Sequence, residues 1–347
     1  MTNILLFISI TFLLWIGRSI FIPLLVAAFL WYMINAISDY FRRLFPFSTP
    51  SNKHERIMSY IFDSLSFIFS IASICGVIYL FATQVKPMFT ELVAALPAIQ
   101  NKLVSFGNYL SNSIGLHFDS NMIPNITKIA ANIGTSAANI ATSVGMIFVY
   151  MIFMFIEQST FNKKFNAMIP QKSRAKKMRY IIDSIDHNMK KYLFMKTVIS
   201  GITGIASYIW LQNIGLEFAG VWAFIVFITS YIPTIGAIVA CSLPILYSFT
   251  VGTGWELPLL TGGGLIGLQI LFGNILEPKL MGKSLNLSTL AILINLVFWG
   301  MLWGIAGMFF SVPILVGIYI VAAQFDTTRP IAVLLSADGK IPDKKNG

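Results

Sequence analysis

Four polar side chains lie at the ends of, or inside, two apolar runs in the C-terminal half of the chain. In order, they are Gln269, Asn274, Glu277 and Asn295. A carboxylate beside an amide at membrane depth can bind a cation or a proton, or accept hydrogen bonds from a polyol. Asn274 and Glu277 are three residues apart, so a helical end would place them on one face. We therefore predict that these four residues bind a substrate or an ion.

Two of these residues also have a structural interpretation, and the sequence leaves both interpretations open. Glu277 is close enough to Lys279 and Lys283 to form a salt bridge at the membrane interface. Asn295 is equally suited to a hydrogen bond with a neighbouring helix, as amides often are inside membranes.

Helix-breaking residues interrupt the same apolar runs. They are Pro233, Gly236, Pro278, Gly282, Gly300, Gly304, Gly307 and Pro313. A break inside hydrocarbon leaves backbone groups without a partner, so it is tolerated only where it faces protein or a cavity. We expect these residues to form bends and close helix contacts more than to touch a ligand. For Trp299 and Trp303, one helical turn apart, packing is favoured over lining a pathway.

Two apolar runs, 219–251 and 285–323, are too long for one straight helix, and both are broken near the middle. Each half of the first run would span only ~20–25 Å at ~1.5 Å per residue, less than the ~30 Å hydrocarbon core. That run is therefore either a re-entrant hairpin or a pair of thin spans. We expect a weakly basic loop at 277–283. If the span that begins at residue 192 exits outward and this loop lies inside, the two runs would enter the membrane as hairpins from opposite faces. Several secondary transporters build an alternating-access site in this way.

The motifs in this half resemble those of a known family. One group is Asn274, Glu277, Pro278 and Gly282, followed by Trp299, Gly300, Trp303, Gly304, Gly307 and Pro313. The others are Tyr231, Ile232, Pro233, Thr234, Ile235 and Gly236, and Tyr192, Lys196, Thr197 and Ser200. Together they resemble the autoinducer-2 exporter family of membrane transporters, closely over 192–313 and only in layout before that. The resemblance implies export of autoinducer-2, a small furanone-type polyol. Exchange of sodium or lithium for protons is the other activity that it implies.

The composition requires a membrane protein. The 347 residues are 56% hydrophobic and 11% charged, and several stretches of ~18 or more residues carry hardly a charge, which is enough to cross a bilayer as helix. We predict an all-α, polytopic membrane protein with about 7–8 membrane helices, among them the two broken or re-entrant hairpins. The first apolar run has no small-residue cleavage site after it, so we expect it to be retained as a span.

The net charge of +10 does not indicate nucleic-acid binding, because the basic residues are grouped in segments that flank the apolar runs. The basic segments 39–56 and 158–191 mark the cytoplasmic side of a cytoplasmic (inner) membrane, and 85–139 fits the outside. Within 158–191 the apolar residues share one helical face. That face fits a helix on the anionic inner leaflet or, equally, a helix packed under the bundle.

The sequence divides into six segments. They are an N-terminal membrane hairpin and third span (1–84), an extracytoplasmic segment of amphipathic helices (85–139), a fourth span (140–157), a basic cytoplasmic loop or helix (158–191), a C-terminal membrane domain with the motifs (192–325) and a polar, frayed tail (326–347). Small residues in the second half of 85–139 suit close helix packing or contact between subunits.

Enzyme chemistry has no support in the sequence. It contains no HExxH, no GxSxG and no phosphate-binding loop, and its three histidines are scattered. Cys75 and Cys241 lie in apolar runs without metal-binding spacing, so we expect neither a metal nor a cofactor.

The function predicted is that of a secondary transporter or exporter of a small polar solute, with no ATP-binding domain. Its expected partners are membrane lipid, the solute or a monovalent cation or proton, and further copies of the chain in a homo-oligomer. A sodium or lithium/proton antiporter is the alternative within the family. A passive channel or an oligomeric membrane scaffold is the alternative from another class.

Overall fold

The computed structural model describes residues 2–44, 86–114, 143–158, 172–251, 254–281 and 286–341, with a few single positions between 68 and 83 and between 160 and 164. Its helices are α1 (Thr2–Ile16), α2 (Arg18–Leu44), α3 (Lys86–Ile114), α4 (Ser143–Gln158), α5 (Lys172–Asn213), α6 (Ala219–Thr229), α7 (Ile235–Val251), α8 (Glu256–Gln269), α9 (Glu277–Met281), α10 (Thr289–Gln324) and α11 (Arg329–Leu335). A π-helical segment, Ile270–Leu276, joins α8 to α9. Within the described ranges the strand-like pairing is one bridge between Leu287 and Ser336, so the predicted all-α class is confirmed.

Four of the described helical stretches are long and apolar enough to cross a membrane. They are Arg18–Asp39, Met178–Asn213, Glu256–Leu280 and Thr289–Gln324, and the shorter apolar helices α4, α6 and α7 accompany them. Large apolar side chains such as Ile20, Phe153 and Met301 remain exposed on these helices. Exposed apolar surface on this scale suits contact with lipid tails. The prediction of a polytopic helical membrane protein is confirmed.

The chain forms two compact units with separate cores. The first unit comprises Met1–Ile74, Ser143–Lys196 and Leu280–Gly347, and the second comprises Cys75–Thr142 and Thr197–Lys279. Both units join segments that are distant in sequence. The six-segment division drawn from composition is a different kind of boundary, and it stays a prediction.

The predicted N-terminal hairpin is instead a bend at Gly17. Only this residue separates α1 from α2; its N–H donates to Leu13 O and its carbonyl accepts from Phe21 N–H, each at 2.9 Å. These are the i to i−4 bonds of a continuing helix, and one residue is too few to reverse a chain that keeps them. Leu14 O accepts a hydrogen bond from the Trp303 indole N–H at 3.0 Å. In a continuous helix the donor to Leu14 O would come from a residue beyond the bend.

Helix α5 continues from the basic segment into the apolar span without a break at residue 191. Its 42 residues extend over ~63 Å, about twice the hydrocarbon thickness, so the basic half reaches beyond the apolar layer. On its apolar face Met189 is buried in the core of the first unit with Val316. Lys190 pairs with Asp39 of α2 at 3.1 Å and with Asp186 at 3.0 Å. These contacts support the packed alternative over the leaflet alternative for this face.

Helix α3 spans the first of the two predicted amphipathic helices. Ile99 on its apolar face is buried in the core of the second unit, with Leu96 packed beside it. Lys102 Nζ donates to Thr250 O at 2.6 Å, at the C-terminal end of α7, where a cation also suits the helix dipole. Other predictions lie outside the described residues: Gly282, Lys283, Cys75, most of the third span and the second amphipathic helix.

The expectation of a frayed tail is wrong for residues 326–341. Ser288 N–H donates to Leu335 O at 2.8 Å, and Ala337 N–H donates to Asn286 O at 3.0 Å. The Asn286 amide also donates to Asp338 Oδ1 at 2.7 Å. The tail is polar, but these bonds to 286–288 fix it on the start of α10.

Candidate functional site

Helices α6 and α7 form a helical hairpin, called hairpin 1 (219–251). The rings of Trp222, early in α6, and Tyr247, late in α7, have centroids 5.4 Å apart, so the two helices run back along each other. Tyr247 OH also donates to Glu217 Oε2 at 2.8 Å, which ties the open end of the hairpin. The 11 residues of α6 cover only ~16 Å, about half the hydrocarbon core. The predicted break in this run is confirmed.

The tip of hairpin 1, residues 230–234, is closed by a backbone contact that only glycine permits. A Cβ on Gly236 would lie 1.8 Å from Thr229 O, a backbone atom that cannot rotate away. Pro233 fixes the chain within the tip. Thr234 follows it with φ 62°, a left-handed conformation that is strained for a β-branched residue. Strain of this kind persists where the surrounding structure over-determines a turn, and it occurs often at functional sites.

A side-chain hydrogen bond connects this tip to α5. Tyr231 OH donates to Thr197 Oγ1 at 2.6 Å, and Tyr231 is buried. Both residues belong to the family-like motifs, yet neither is among the predicted site residues. Tyr231 and Thr197 each carry a hydroxyl and belong to different motifs. A hydroxyl in each of two motifs is a sequence signal that could have identified the pair.

Helix α10 contains a second hairpin, called hairpin 2 (289–324). At Gly304 the backbone has φ 63° and ψ −141°, which interrupts the helix. A Cβ on Gly307 would lie 1.9 Å from Trp299 O, and one on Gly300 would lie 2.8 Å from the Met308 side chain. The glycines of this run therefore allow the close contacts that the sequence predicts for them. Pro313 lies in the returning helix.

Asn295 links the two arms of hairpin 2. Its amide donates to Ser311 O at 2.6 Å, although a straight helix would separate residues 16 apart by ~24 Å. The side-chain oxygen Oδ1 of Asn295 accepts a hydrogen bond from the Trp299 indole N–H at 3.1 Å. The helix-to-helix hydrogen bond is thus present, whereas a substrate contact by Asn295 stays a prediction. Trp299 and Trp303 are both buried, with ring centroids 4.5 Å apart, as expected for packing.

Glu277 and Pro278 lie where the π-helical segment Ile270–Leu276 ends, on a helix that continues to Met281. This corrects the expectation of a loop beginning at Glu277. The Glu277 N–H donates to Phe272 O, five residues back. Pro278 has no N–H, so it cannot give the i−4 bond that Asn274 O would receive in an α-helix. The π-helical turn is the local consequence of this missing bond, and π-helical turns are frequent at functional sites.

The polar side chains of this segment differ in exposure. Asn274 is exposed and Glu277 is half-buried. The Gln269 Nε2 atom is buried and has no hydrogen-bond partner among the described residues. Gln269, Asn274 and Glu277 belong to the second unit, whereas Asn295 belongs to the first. Ligand binding by these four residues stays a prediction. In the described part of the chain no three His, Cys, Asp or Glu residues are grouped to hold a metal.

Comparison with known proteins identifies the family. The model of the AI-2E family transporter matches residues 4–325. The chain belongs to the AI-2E transporter family. It is 33% identical to the AI-2 transport protein TqsA of Escherichia coli (strain K12) over 258 residues, 73% of this chain and 72% of that protein. Two proteins named "Putative transport protein" also match: one of Haemophilus influenzae at 32% over 235 residues (67% of this chain, 63% of that protein), and one of Borreliella burgdorferi at 31% over 191 (55% and 52%).

Family membership decides the broad function. This AI-2E family member is an integral membrane transporter and not an enzyme. Its partners therefore include membrane lipid and a small solute. The family resemblance stated from the motifs is confirmed and extends over nearly the whole chain.

Proposed function

We propose that this AI-2E family transporter is a secondary transporter that exports a small polar solute of the autoinducer-2 type across the cytoplasmic (inner) membrane. The observation that carries the proposal is the pair of hairpins, each closed at its tip by a glycine against a backbone oxygen. A closed tip suits a hairpin that moves as one body, and alternating access in secondary transporters is largely a rigid-body movement of one part against another around the site. The name of the Escherichia coli relative supports the choice of solute.

The proposed orientation places the basic segments 39–56 and 158–191 in the cytoplasm and 85–139 outside. Hairpins 1 and 2 would then enter the membrane from opposite faces, which suits alternating access. The length of α5 supports this orientation, because its Lys- and Arg-rich half extends well beyond one hydrocarbon thickness.

The residues proposed to bind the solute or a coupling ion are Gln269, Asn274, Glu277 and Asn295. Glu277 is half-buried directly before a proline, where the helix is already distorted. A carboxylate in this position suits a coupling proton or monovalent cation. The same observation favours the sodium or lithium/proton antiporter as the second candidate function. A homo-oligomer assembled through 85–139 is a further proposal, which rests on the small residues of that segment.

Measuring autoinducer-2 in the medium and in the cytoplasm, with and without the protein, tests the proposal. Deletion should raise the internal concentration and lower the external one. The control is tolerance of sodium and lithium in the same strains. An unchanged internal concentration together with lost sodium tolerance would contradict export and support the antiporter.

A further inference from the structure

Two buried serines lie on the face of α5 that meets hairpin 1. Ser200 and Ser207 are each 1% exposed. They lie on either side of Gly204, where a Cβ would come within 3.1 Å of Phe227 Cβ and 3.2 Å of Ala223 O in α6. Because residues three and four apart share a helical face, both serines face the same interface.

The register of this interface is fixed at two points. Tyr231 OH donates to Thr197 Oγ1 at 2.6 Å, and Gly204 approaches Ala223 and Phe227. From Thr197 to Gly204 the residue numbers rise along α5, whereas those of its partners fall from Tyr231 to Phe227 and Ala223, so α5 and α6 run antiparallel. Ser200 therefore lies between the two contacts, close to the hairpin tip.

The hydroxyls of Ser200 and Ser207 have no hydrogen-bond partner among the described residues. Thr203, on the same helix and 3% exposed, shows the usual solution: its hydroxyl donates to Ile199 O at 2.8 Å. A buried hydroxyl without a partner destabilises a fold, whereas alanine would fill the same close helix contact without that penalty. Close packing therefore does not explain why serine occupies both positions.

We propose that Ser200 and Ser207 are successive contact points for the transported solute, a small neutral molecule with several hydroxyl groups, when hairpin 1 moves away from α5. The proposal rests on the transport function proposed above. A serine hydroxyl both donates and accepts hydrogen bonds, which matches a polyol. The two serines are two turns apart, about 10 Å along the helix, so a small solute meets them one after the other.

Thiol labelling tests whether this interface opens. In a variant lacking Cys75 and Cys241, Ser200→Cys and Ser207→Cys should react with a small hydrophilic thiol reagent in membranes. Leu211→Cys is the matched control, because Leu211 is fully buried in the core at the end of the same helix and should not react. If the serine positions are as unreactive as position 211, the interface is sealed packing and the proposal is wrong.

Protection by solute then tests contact, with autoinducer-2 and ribose as separate probes. Slower labelling in the presence of either probe supports the contact points. Protection by ribose alone would keep the serine contacts but contradict autoinducer-2 as the solute. Labelling that neither probe slows would overturn the proposal.

Alanine variants test the transport step itself. The double variant Ser200→Ala/Ser207→Ala should lower transport of autoinducer-2 in proteoliposomes at least about tenfold, the loss expected when a bound hydroxyl loses its partner. Its melting temperature should be unchanged or higher. Thr203→Val, which removes a hydroxyl already bonded to the backbone, should transport at the wild-type rate. A double variant that transports normally would overturn the proposal.

Discussion

Replacing Gly236 by alanine should open the tip of hairpin 1. The added Cβ would lie 1.8 Å from Thr229 O and 2.7 Å from its carbonyl carbon. Adding one carbon to a packed interior costs about 1–3 kcal/mol. The top of that range applies here, because the obstacle is backbone. Alanine also returns up to ~1 kcal/mol as a better helix former, so the net loss of stability is ~2 kcal/mol. Transport should fall with it, since the tip no longer closes.

Gly263→Ala is the matched control. Gly263 also lies in a helix of the second unit, and a Cβ there would meet nothing within 4 Å. The variant should gain up to ~1 kcal/mol from helix propensity and keep transport. Denaturant unfolding in detergent and flux in proteoliposomes are to be measured for both variants. If Gly236→Ala is as stable as Gly263→Ala, the close contact at the tip does not exist and the gating argument for hairpin 1 fails.

Three further predictions concern the polar residues. Asn295→Leu should destabilise the protein by ~1–3 kcal/mol, because it leaves buried hydrogen-bonding groups without their partner; thermal unfolding in detergent checks this, and lost transport at wild-type stability would indicate a substrate contact instead. Glu277→Gln should remain folded and inserted while transport in proteoliposomes stops, and a wild-type rate at every pH would make Glu277 structural. The hydrogen bond from Asn286 holds the pKa of the Asp338 carboxyl below its usual range. The stability that this bond gives to the contact between the tail and residue 286 is therefore present above the ordinary aspartate pKa, and it is lost as the pH falls through the lowered pKa. Proteolysis of the tail should therefore accelerate in acid for wild type and not for Asp338→Asn, and equal acid sensitivity in both would contradict this reading.

The two hairpins were predictable because their signals are local. Pro233 and Gly236 interrupt one run that is too long for one helix, and Gly304 and Gly307 interrupt the other. Few other backbone paths are then possible in a membrane. The specific contacts of Gly236 and Gly307 with backbone oxygens were not predictable, since they depend on the angle at which the arms meet.

Features that depend on the folded backbone or on distant residues were not predicted. The sequence predicted a reversal at Gly17, whereas the structure has a bend there, because helix bonds continue through this residue. The tail looks unstructured by composition, but 286–288, some fifty residues earlier, supply its partners. The hydrogen bond from Asn295 to Ser311 likewise requires the folded hairpin before the two residues can meet.

Counterflow in sealed proteoliposomes distinguishes alternating-access export from an antiporter and from a passive channel. Purified protein is placed in vesicles loaded with unlabelled autoinducer-2, and labelled autoinducer-2 is added outside at a much lower concentration. A transporter whose hairpins expose one site alternately must exchange solute for solute, so the label should accumulate transiently inside above its equilibrium level. If the protein is an antiporter that does not transport autoinducer-2, the vesicles should show no protein-dependent uptake of label. A passive channel predicts a steady rise to equilibrium without overshoot, and either of these results would contradict alternating-access export.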